Sequence, residues 1–229
     1  MQAVIWNRNL ERSPWSKKIS RHLEATMQAD HLGASGHRRR QFLGTTAGGM
    51  AALSLGGFGL AVAGTTGASE FGILDQPAPE LQVDYWLDRN GKPTTYTIGA
   101  SRGKWIFLEC FQNWCPGCHT HGFPTLKKVA DAFDGDERVS VVAVQTVFEG
   151  FGSNTREAVR ELQLRYELPI PMGHDPGTPE REDLPHTMLS YRTGGTPWVI
   201  VIEPGGTVAY NNYYIDGDKF IELLKEQLG

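Results

Sequence analysis

The chain has 229 residues, of which 40% are hydrophobic and 21% charged, an ordinary composition for one globular domain with an appendage. Three cysteines are too few for a small fold held together by disulfides. Residues 1–63 carry eight Lys/Arg against three Asp/Glu, and residues 64–229 carry fourteen against twenty-three, so a basic leader precedes an acidic body. The acidic body argues against nucleic acid as a partner.

The basic leader has the order of an export signal. The run RRRQFL at residues 38–43 is followed by a weakly apolar, glycine-rich stretch that ends in AVA at residues 61–63. This order predicts an export signal over residues 37–63, and two arginines followed by x-Phe-Leu resemble the twin-arginine type. A buried helix or an uncleaved membrane anchor is the alternative. The 37 preceding residues are either a disordered extension or lie upstream of a true start at Met27.

The export signal predicts where the protein works. Cleavage near Gly64 would leave a mature chain in the periplasm or another extracytoplasmic compartment, where disulfides persist. The protein would then contact a membrane only if the leader stayed uncleaved. Residues 64–80 are small, polar and proline-bearing, which predicts a linker, and residues 81–229 form the remaining domain.

The first half of this domain alternates β and α patterns. Residues 81–98 alternate around an Asn-Gly turn, which predicts a β-hairpin. The apolar run at residues 104–111 and the β-branched run at residues 139–146 predict two buried strands. Apolar residues recur at helical spacing over residues 123–133, so a helix connects the two strands.

The second half continues the alternation. Asn154, with a glutamate three residues later, predicts a capped helix that reaches about Tyr166. Residues 173–187 are rich in proline, glycine and charge, which predicts a surface loop. Two strands follow, at residues 196–203 and 207–210, and a C-terminal amphipathic helix closes the chain. The whole order predicts an α/β fold with helices on both faces of a central sheet.

One stretch, FQNWCPGCHTHGFP at residues 111–124, contains two of the three cysteines. Cys115 and Cys118 are spaced for dithiol redox exchange, and the following His119 completes a Cys-x-x-Cys-His haem-attachment pattern. Cys and His together also suit metal binding. Redox exchange needs a thiolate, and Cys115 would lie at a helix N-terminus, where unpaired N–H groups and the helix dipole favour the anion. Cys118, one turn later, would then be the buried resolving thiol.

The chain resembles the thioredoxin-like superfamily, and within it the exported TlpA-like thiol–disulfide oxidoreductases. Two motifs carry the resemblance: WCPGC at residues 114–118 after a buried strand, and Gly-Thr-Pro at residues 195–197 opening a later strand. The resemblance covers about residues 78–229. It implies a thioredoxin-like central mixed β-sheet flanked by helices, with an N-terminal β-hairpin extension.

The resemblance also implies roles for individual residues. Pro197 matches the family's cis-proline, which presents the backbone of Thr196 to an extended substrate; otherwise it is part of a plain turn. Glu109 matches a buried carboxylate that helps to move the proton of the second cysteine, Cys118; otherwise it is a partly solvated strand residue. Neither role requires a cofactor beyond the redox-active Cys115–Cys118 disulfide.

Three departures from the family pattern bear on the partner and the redox direction. Pro-Gly between the cysteines reverses the Gly-Pro of thioredoxin. Pro124 lies six residues after the second cysteine, where the family usually has five, and the loop at residues 173–187 is unexpectedly long. The expected partners are disulfide-bearing or dithiol exported proteins and a separate electron-donor protein, with the chain acting as a reductase.

Three alternatives stay open at this stage. A c-type haem protein would use His119 as the axial ligand. A copper or other metal carrier would use the two cysteines with His119 and His121, although His119 is otherwise a solvated surface residue. A thiol peroxidase would need a threonine where Gln112 stands.

Trp114 is either an apolar platform or a cover for the core edge, and Cys110 is expected to be a structural core cysteine.

Overall fold

The structure is a computed structural model that describes residues 14–15, 17–19, 71–177 and 184–229. The predicted export signal at residues 37–63 lies outside the described residues. Within these described ranges, none of the helices combines the length and the hydropathy needed to cross a bilayer.

Seven strands of the described residues form a single mixed sheet. They are β1 Tyr85–Leu87, β2 Pro93–Thr94, β3 Trp105–Phe111, β4 Val139–Val147, β5 Met172–Pro176, β6 Trp198–Ile202 and β7 Val208–Asn212. Their order in the sheet is β2-β1-β5-β4-β3-β6-β7. Strands β3, β4 and β5 run parallel, while β6 and β7 pair antiparallel on one side and the β1–β2 hairpin on the other. The sheet confirms the predicted fold class and hairpin.

The central strand β3 is buried along its whole length because it pairs with β4 on one side and β6 on the other. Its side chains alternate between the two faces of the sheet, as a strand requires. Phe107 and Phe111 join one core cluster, and Leu108 and Cys110 join the other. β3 therefore fixes the position of whatever follows its carboxyl end.

Within residues 71–177 and 184–229, four α-helices accompany the sheet: α1 Phe123–Ala132, α2 Arg156–Arg165, α3 His186–Tyr191 and α4 Gly217–Leu228. The predicted cap of α2 was one residue off. Thr155, not Asn154, accepts the capping hydrogen bond from the backbone N–H of Ala158 at 3.3 Å. Asn154 and Thr155 are both residue types that commonly cap helices, so the sequence alone does not distinguish between them.

A π-helical turn at Cys118–Gly122 precedes α1, and the backbone N–H of Phe123 donates to the carbonyl of Cys118 five residues earlier. Such a turn carries one residue more than an α-helical turn. The extra residue accounts for the six-residue spacing between Cys118 and Pro124 that the sequence showed as a departure.

The predicted surface loop at residues 173–187 is wrong at its two ends, residues 173–176 and 186–187. Residues 172–176 form β5, which is buried between β1 and β4, and α3 begins at His186. The sequence of β5, MGHDP, has no β-branched residue, so pairing on both sides and not strand propensity makes it a strand. Residues 178–183 lie outside the described chain.

Part of the predicted linker also packs against the domain. Ile73 is buried, and the backbone of Asp75 donates to the carbonyl of Val208 at 2.8 Å. Ala78 donates to Gly206 at the same distance. Residues 71–78 therefore run along the outer edge of β7 and cover it.

A short helical piece packs against the amino end of β3. Trp15 and Ile19 are buried, four residues apart and hence on one helix face. The Trp15 ring lies 4.3 Å from the Trp105 ring and 6.5 Å from the Phe220 ring, measured between centroids. The described residues of the predicted disordered extension are thus helical and packed on the amino end of β3.

Candidate active site

Cys115 lies where β3 ends and the helical chain begins, as the sequence predicted. Its side chain reaches the surface only slightly, at 5% exposure, whereas Cys118 is completely buried. All three cysteines are thiols in this structure. A partner that approaches this end of the sheet can therefore meet Cys115 but not Cys118.

The sulfur of Cys115 lies within hydrogen-bond distance of two backbone groups. The backbone N–H of Cys118 donates to Cys115 Sγ at 3.2 Å, and the thiol lies 3.4 Å from the carbonyl oxygen of Thr196. The pKa of Cys115 is lowered to about 6, chiefly because the Cys118 side chain hydrogen-bonds to its sulfur. Burial opposes this effect, and the backbone N–H groups of Cys118 and Gly117 add to it.

The pKa values of Cys115 and Cys118 are shifted in opposite directions, as expected for an attacking and a resolving thiol. Burial raises the pKa of Cys118 far above its usual range, and the hydrogen bond to Cys115 adds to the rise. At neutral pH the pair therefore holds one thiolate, on Cys115, and one thiol, on Cys118. This is the protonation state that dithiol exchange requires of an attacking and a resolving sulfur.

Glu109 is completely buried on β3, so the prediction of a partly solvated residue is excluded. Neither carboxyl oxygen has a hydrogen-bond partner among the described residues. Burial raises the pKa of Glu109 to about 8, and the charge of Cys115 contributes to the rise. The carboxyl thus belongs to the electrostatic environment of the cysteines.

Thr196 and Pro197 close the site from the strand β6 side. The peptide bond between them is cis, as the family resemblance implied. The carbonyl of Thr196 contacts Cys115 Sγ, and the Pro197 ring lies against the backbone of Gly117 and Gly122. The structure thus brings together all five residues singled out in the sequence as a site, Glu109, Cys115, Cys118, Thr196 and Pro197.

His119 is not the solvated surface residue that the sequence suggested. It is half-buried; its Nδ1 lies 2.6 Å from the hydroxyl of Tyr166 and its Nε2 2.5 Å from the carbonyl of Asn113. Nε2 donates to the Asn113 carbonyl, so the one lone pair of the neutral ring is on Nδ1, where it accepts from the Tyr166 hydroxyl and is not free for a metal or a haem iron in this arrangement. His121 is exposed and meets the ring of Tyr214 edge-on at 5.7 Å.

Two polar residues that the sequence did not assign to the site support the loop in front of Cys115. Asn154 accepts from the backbone N–H of Asn113 at 2.6 Å and donates to the side chain of Gln112 at 3.0 Å. Gln112 also accepts from the indole N–H of Trp114 at 3.3 Å. The available signal was a polar residue, Gln112, directly after a fully buried strand, and Asn154 was hidden because it also fits a helix cap.

Trp114 and Cys110 show what each position next to the site does. Trp114 is 44% exposed and lies across Gly150, so it forms a platform beside Cys115 instead of covering the core. Cys110 is fully buried on the opposite face from Glu109, and burial raises the pKa of its thiol far above the usual range. The prediction that Cys110 is a core cysteine is confirmed.

A seven-stranded mixed sheet with a Cys-x-x-Cys motif at the start of a helix, next to a cis-proline, defines a member of the thioredoxin-like superfamily. Within that superfamily, the AhpC/TSA family model matches residues 74–211, so the chain belongs to the AhpC/TSA family. Two solved structures are about 30% identical in sequence to this chain, and each match covers 66% of it. They are the thioredoxin-like superfamily protein SPOA0173 (32% identity, 95% of that chain, TM-score 0.58) and a thiol-disulfide isomerase from Corynebacterium glutamicum (30%, 95%, 0.57).

More distant likeness extends to the fold alone. The thioredoxin domain of the thiol-disulfide oxidoreductase BVU-2223 from Bacteroides vulgatus is 16% identical over 69% of this chain and 99% of that domain, with a TM-score of 0.51. Comparison with curated protein sequences gave no match. Family and structural relatives together make this chain a thiol–disulfide oxidoreductase.

Proposed function

We propose that the chain is an exported thiol–disulfide oxidoreductase of the TlpA-like kind, which reduces disulfides in other exported proteins through Cys115 and Cys118. One observation carries the proposal. Two sulfurs in hydrogen-bond contact have pKa values shifted in opposite directions, to about 6 for Cys115 and far upward for Cys118. Only Cys115 reaches the surface.

The first step uses the Cys115 thiolate. It attacks one sulfur of a partner disulfide, forms a mixed disulfide, and releases the other partner sulfur as a thiolate. The Thr196 backbone, next to Pro197, offers an edge along which an extended substrate can align. Trp114 provides an exposed apolar platform on the same side.

The second step uses Cys118 and Glu109. Cys118 must lose its proton before it attacks Cys115 Sγ, closes the Cys115–Cys118 disulfide and expels the second partner thiol. Once Cys115 is in the mixed disulfide it carries no charge, so its contribution to the raised pKa of Glu109 disappears. The carboxylate form of Glu109 becomes more accessible at that moment and can take the proton of Cys118.

The moderate stabilisation of the Cys115 thiolate favours the reducing direction. A pKa of about 6 for Cys115 is nearer to the value of about 7 in thioredoxin than to the value of about 3.5 in the strong oxidant DsbA. A less stabilised thiolate makes the dithiol less stable relative to its disulfide and therefore more reducing. The cycle then needs electrons from a separate donor protein and no cofactor beyond the dithiol itself.

The compartment follows from the leader. Two arginines at residues 39 and 40, an apolar stretch and a small-x-small end are typical of twin-arginine export. Disulfide substrates persist outside the cytoplasm, which fits a thiol reductant there. A leader–reporter fusion should appear outside the cytoplasm, and replacing both arginines by lysine should retain it inside.

The decisive experiment compares cysteine variants of the full chain in insulin reduction. Cys118→Ala should accumulate mixed disulfides with partner proteins, because Cys115 can attack but nothing resolves the product. Cys110→Ala is the matched control and should turn over normally. If Cys118→Ala traps nothing and reduces insulin as well as the unmodified chain, the assignment of the two cysteines is wrong.

Peroxide reduction is one of the alternatives that the sequence left open, and the site argues against it. The position three residues before Cys115 holds Gln112, whose side chain is buried and bonded to Asn154 and Trp114. It offers no threonine hydroxyl to hold a peroxide beside the thiolate. Hydrogen peroxide consumption should therefore stay near background under conditions in which insulin is reduced.

A further inference from the structure

Two glycines, Gly117 and Gly122, flank the π-helical turn five residues apart, and both face Pro197. A Cβ atom added at Gly117 would lie 3.1 Å from Pro197 Cδ, and one added at Gly122 would lie 3.1 Å from Pro197 Cβ. Both residues have ordinary right-handed helical φ and ψ angles. The close approach of Pro197, and not the backbone conformation, therefore favours glycine at both positions.

The π-helical turn is what puts these two glycines in line. In an α-helix, residues five apart point in directions that differ by about 140°. The hydrogen bond from Phe123 to Cys118 spans five residues, so it stacks a residue over the one five positions earlier. If the same residues formed an ordinary α-helix, the two glycines would therefore point in directions about 140° apart and would not both face Pro197.

Gly122 makes a second close approach, to the carboxyl of Glu109. An added Cβ would lie 2.4 Å from Glu109 Oε1, so the carboxyl group would have to move away from its position. The corresponding neighbours of Gly117 are Pro197, Tyr214 Oη at 3.4 Å and Cys115 Sγ at 3.9 Å. The two ends of the seam thus touch different parts of the site.

We propose that Gly117 and Gly122 form a side-chain-free seam in which Gly122 positions the Glu109 carboxyl for proton transfer from Cys118. The inserted residue of the π-helical turn and the glycine at its end act as one device. It makes room for glutamate, whose carboxyl reaches one methylene further than that of aspartate. Gly122 is a positioning residue, and its role rests on the proposed function of Glu109.

The two chemical steps can be separated with Ellman's reagent on the reduced full chain. Cys115 attacks the reagent and releases one thionitrobenzoate in a concentration-dependent phase. Cys118 then attacks the mixed disulfide on Cys115 and releases the second thionitrobenzoate in a concentration-independent phase. Gly122→Ala should slow the second phase by roughly tenfold to a hundredfold, as expected when a proton-accepting group is displaced, and leave the first phase nearly unchanged.

Rescue distinguishes positioning from general distortion of the helix. Glu109→Asp shortens the carboxyl and removes the clash, so adding Gly122→Ala to it should change the second phase by less than about threefold. Gly152→Ala, with no heavy atom within 4 Å of its added Cβ, is the control and should match the unmodified chain.

Each contrary outcome has a distinct meaning. A normal second phase in folded Gly122→Ala overturns the proposal, and so does a slowing by Gly122→Ala that Glu109→Asp does not relieve. If Gly122→Ala fails to fold, the comparison of Glu109→Asp with the folded double variant decides, and a double variant that also fails overturns the proposal. A normal second phase in Glu109→Gln would instead overturn the proposed role of Glu109.

Discussion

The two ends of β3 differ in what they bury. At the amino end, the Trp15 ring packs against the rings of Trp105 and Phe220. At the carboxyl end, the buried polar groups of Glu109 and the amide nitrogen of Gln112 have no hydrogen-bond partner among the described residues. The amino end buries mainly aromatic rings, although the indole N–H of Trp15 has no partner among the described residues, and the carboxyl end retains costly polar groups beside a reactive sulfur. Changes at the carboxyl end should therefore alter chemistry, and changes at the amino end should alter stability alone.

The largest expected effect comes from the sulfur at the carboxyl end. Cys115→Ser should reduce insulin reduction to background, a loss of at least about a thousandfold, because an alcohol is not ionised at neutral pH. Cys110→Ala lies five residues earlier, within β3, and should keep its activity. Residual turnover in Cys115→Ser, or its loss in a folded Cys110→Ala, would contradict the assignment of reactivity to the carboxyl end.

The pH dependence of alkylation should separate the same two thiols. The pKa of Cys115 is lowered to about 6, so its iodoacetamide reaction should rise with a midpoint near pH 6 and level off above pH 7. Cys110 should stay unmodified in the folded chain because burial raises its pKa and denies access. Peptide mass spectrometry assigns each site. A Cys115 midpoint near the ordinary value of about 8.5 would mean that the thiolate is not stabilised.

The sequence predicted the elements whose own residues determine them, and missed those that depend on neighbours. The β-branched run of β4 and the helical periodicity of α1 specify their structure locally. β5 does not, because MGHDP becomes a strand only by pairing with β1 and β4. No local pattern distinguishes such a strand from a loop.

The site shows the same division. Cys115, Cys118 and Pro197 were found through motifs, and Glu109 through its spacing from them. The contacts of Asn154 and His119 depend on where the loop after β4 and helix α2 pack, so the sequence assigned one as a cap and the other as a surface residue. The π-helical turn was visible only as one residue too many before Pro124.

Glu109→Gln should make the reduced protein more stable than the unmodified chain, by a difference that grows as pH increases. The pKa of Glu109 is about 8 in the folded chain against an ordinary 4.5, so the stabilisation present below pH 4.5 is lost as pH rises through 8. Glutamine has no such loss, and at pH 8 the variant should be more stable by on the order of a few kcal/mol. The two unfolding free energies should converge near pH 4.

Urea unfolding of the reduced chain at pH 4, 6 and 8 makes this measurement. Glu161→Gln, an exposed carboxylate on α2, is the control and should follow the unmodified chain at each pH. A constant difference between Glu109→Gln and the unmodified chain across this range would show that the carboxyl is not held protonated.

The smallest effect is expected at the amino end of β3. Trp15→Ala in the full chain should lower Tm by about 3 to 6 °C, corresponding to roughly 1.5 kcal/mol. The loss is modest because the indole N–H is buried without a partner among the described residues, which offsets part of the apolar gain. A zero-length carbodiimide should also join Lys18 to Glu226, whose charged groups lie 2.6 Å apart, and Trp15→Ala should weaken that product.

Both phases of the Ellman reaction should stay unchanged in Trp15→Ala, since Trp15 touches neither cysteine. Leu189→Ala, an exposed apolar residue on α3, controls for the loss of a large side chain and should leave Tm nearly unchanged. An unaltered Tm together with no Lys18–Glu226 product would mean that residues 14–19 do not cover Trp105. A slowed Ellman reaction would mean that the two ends of β3 are coupled, because rigid burial of one end would then be a condition for the chemistry at the other.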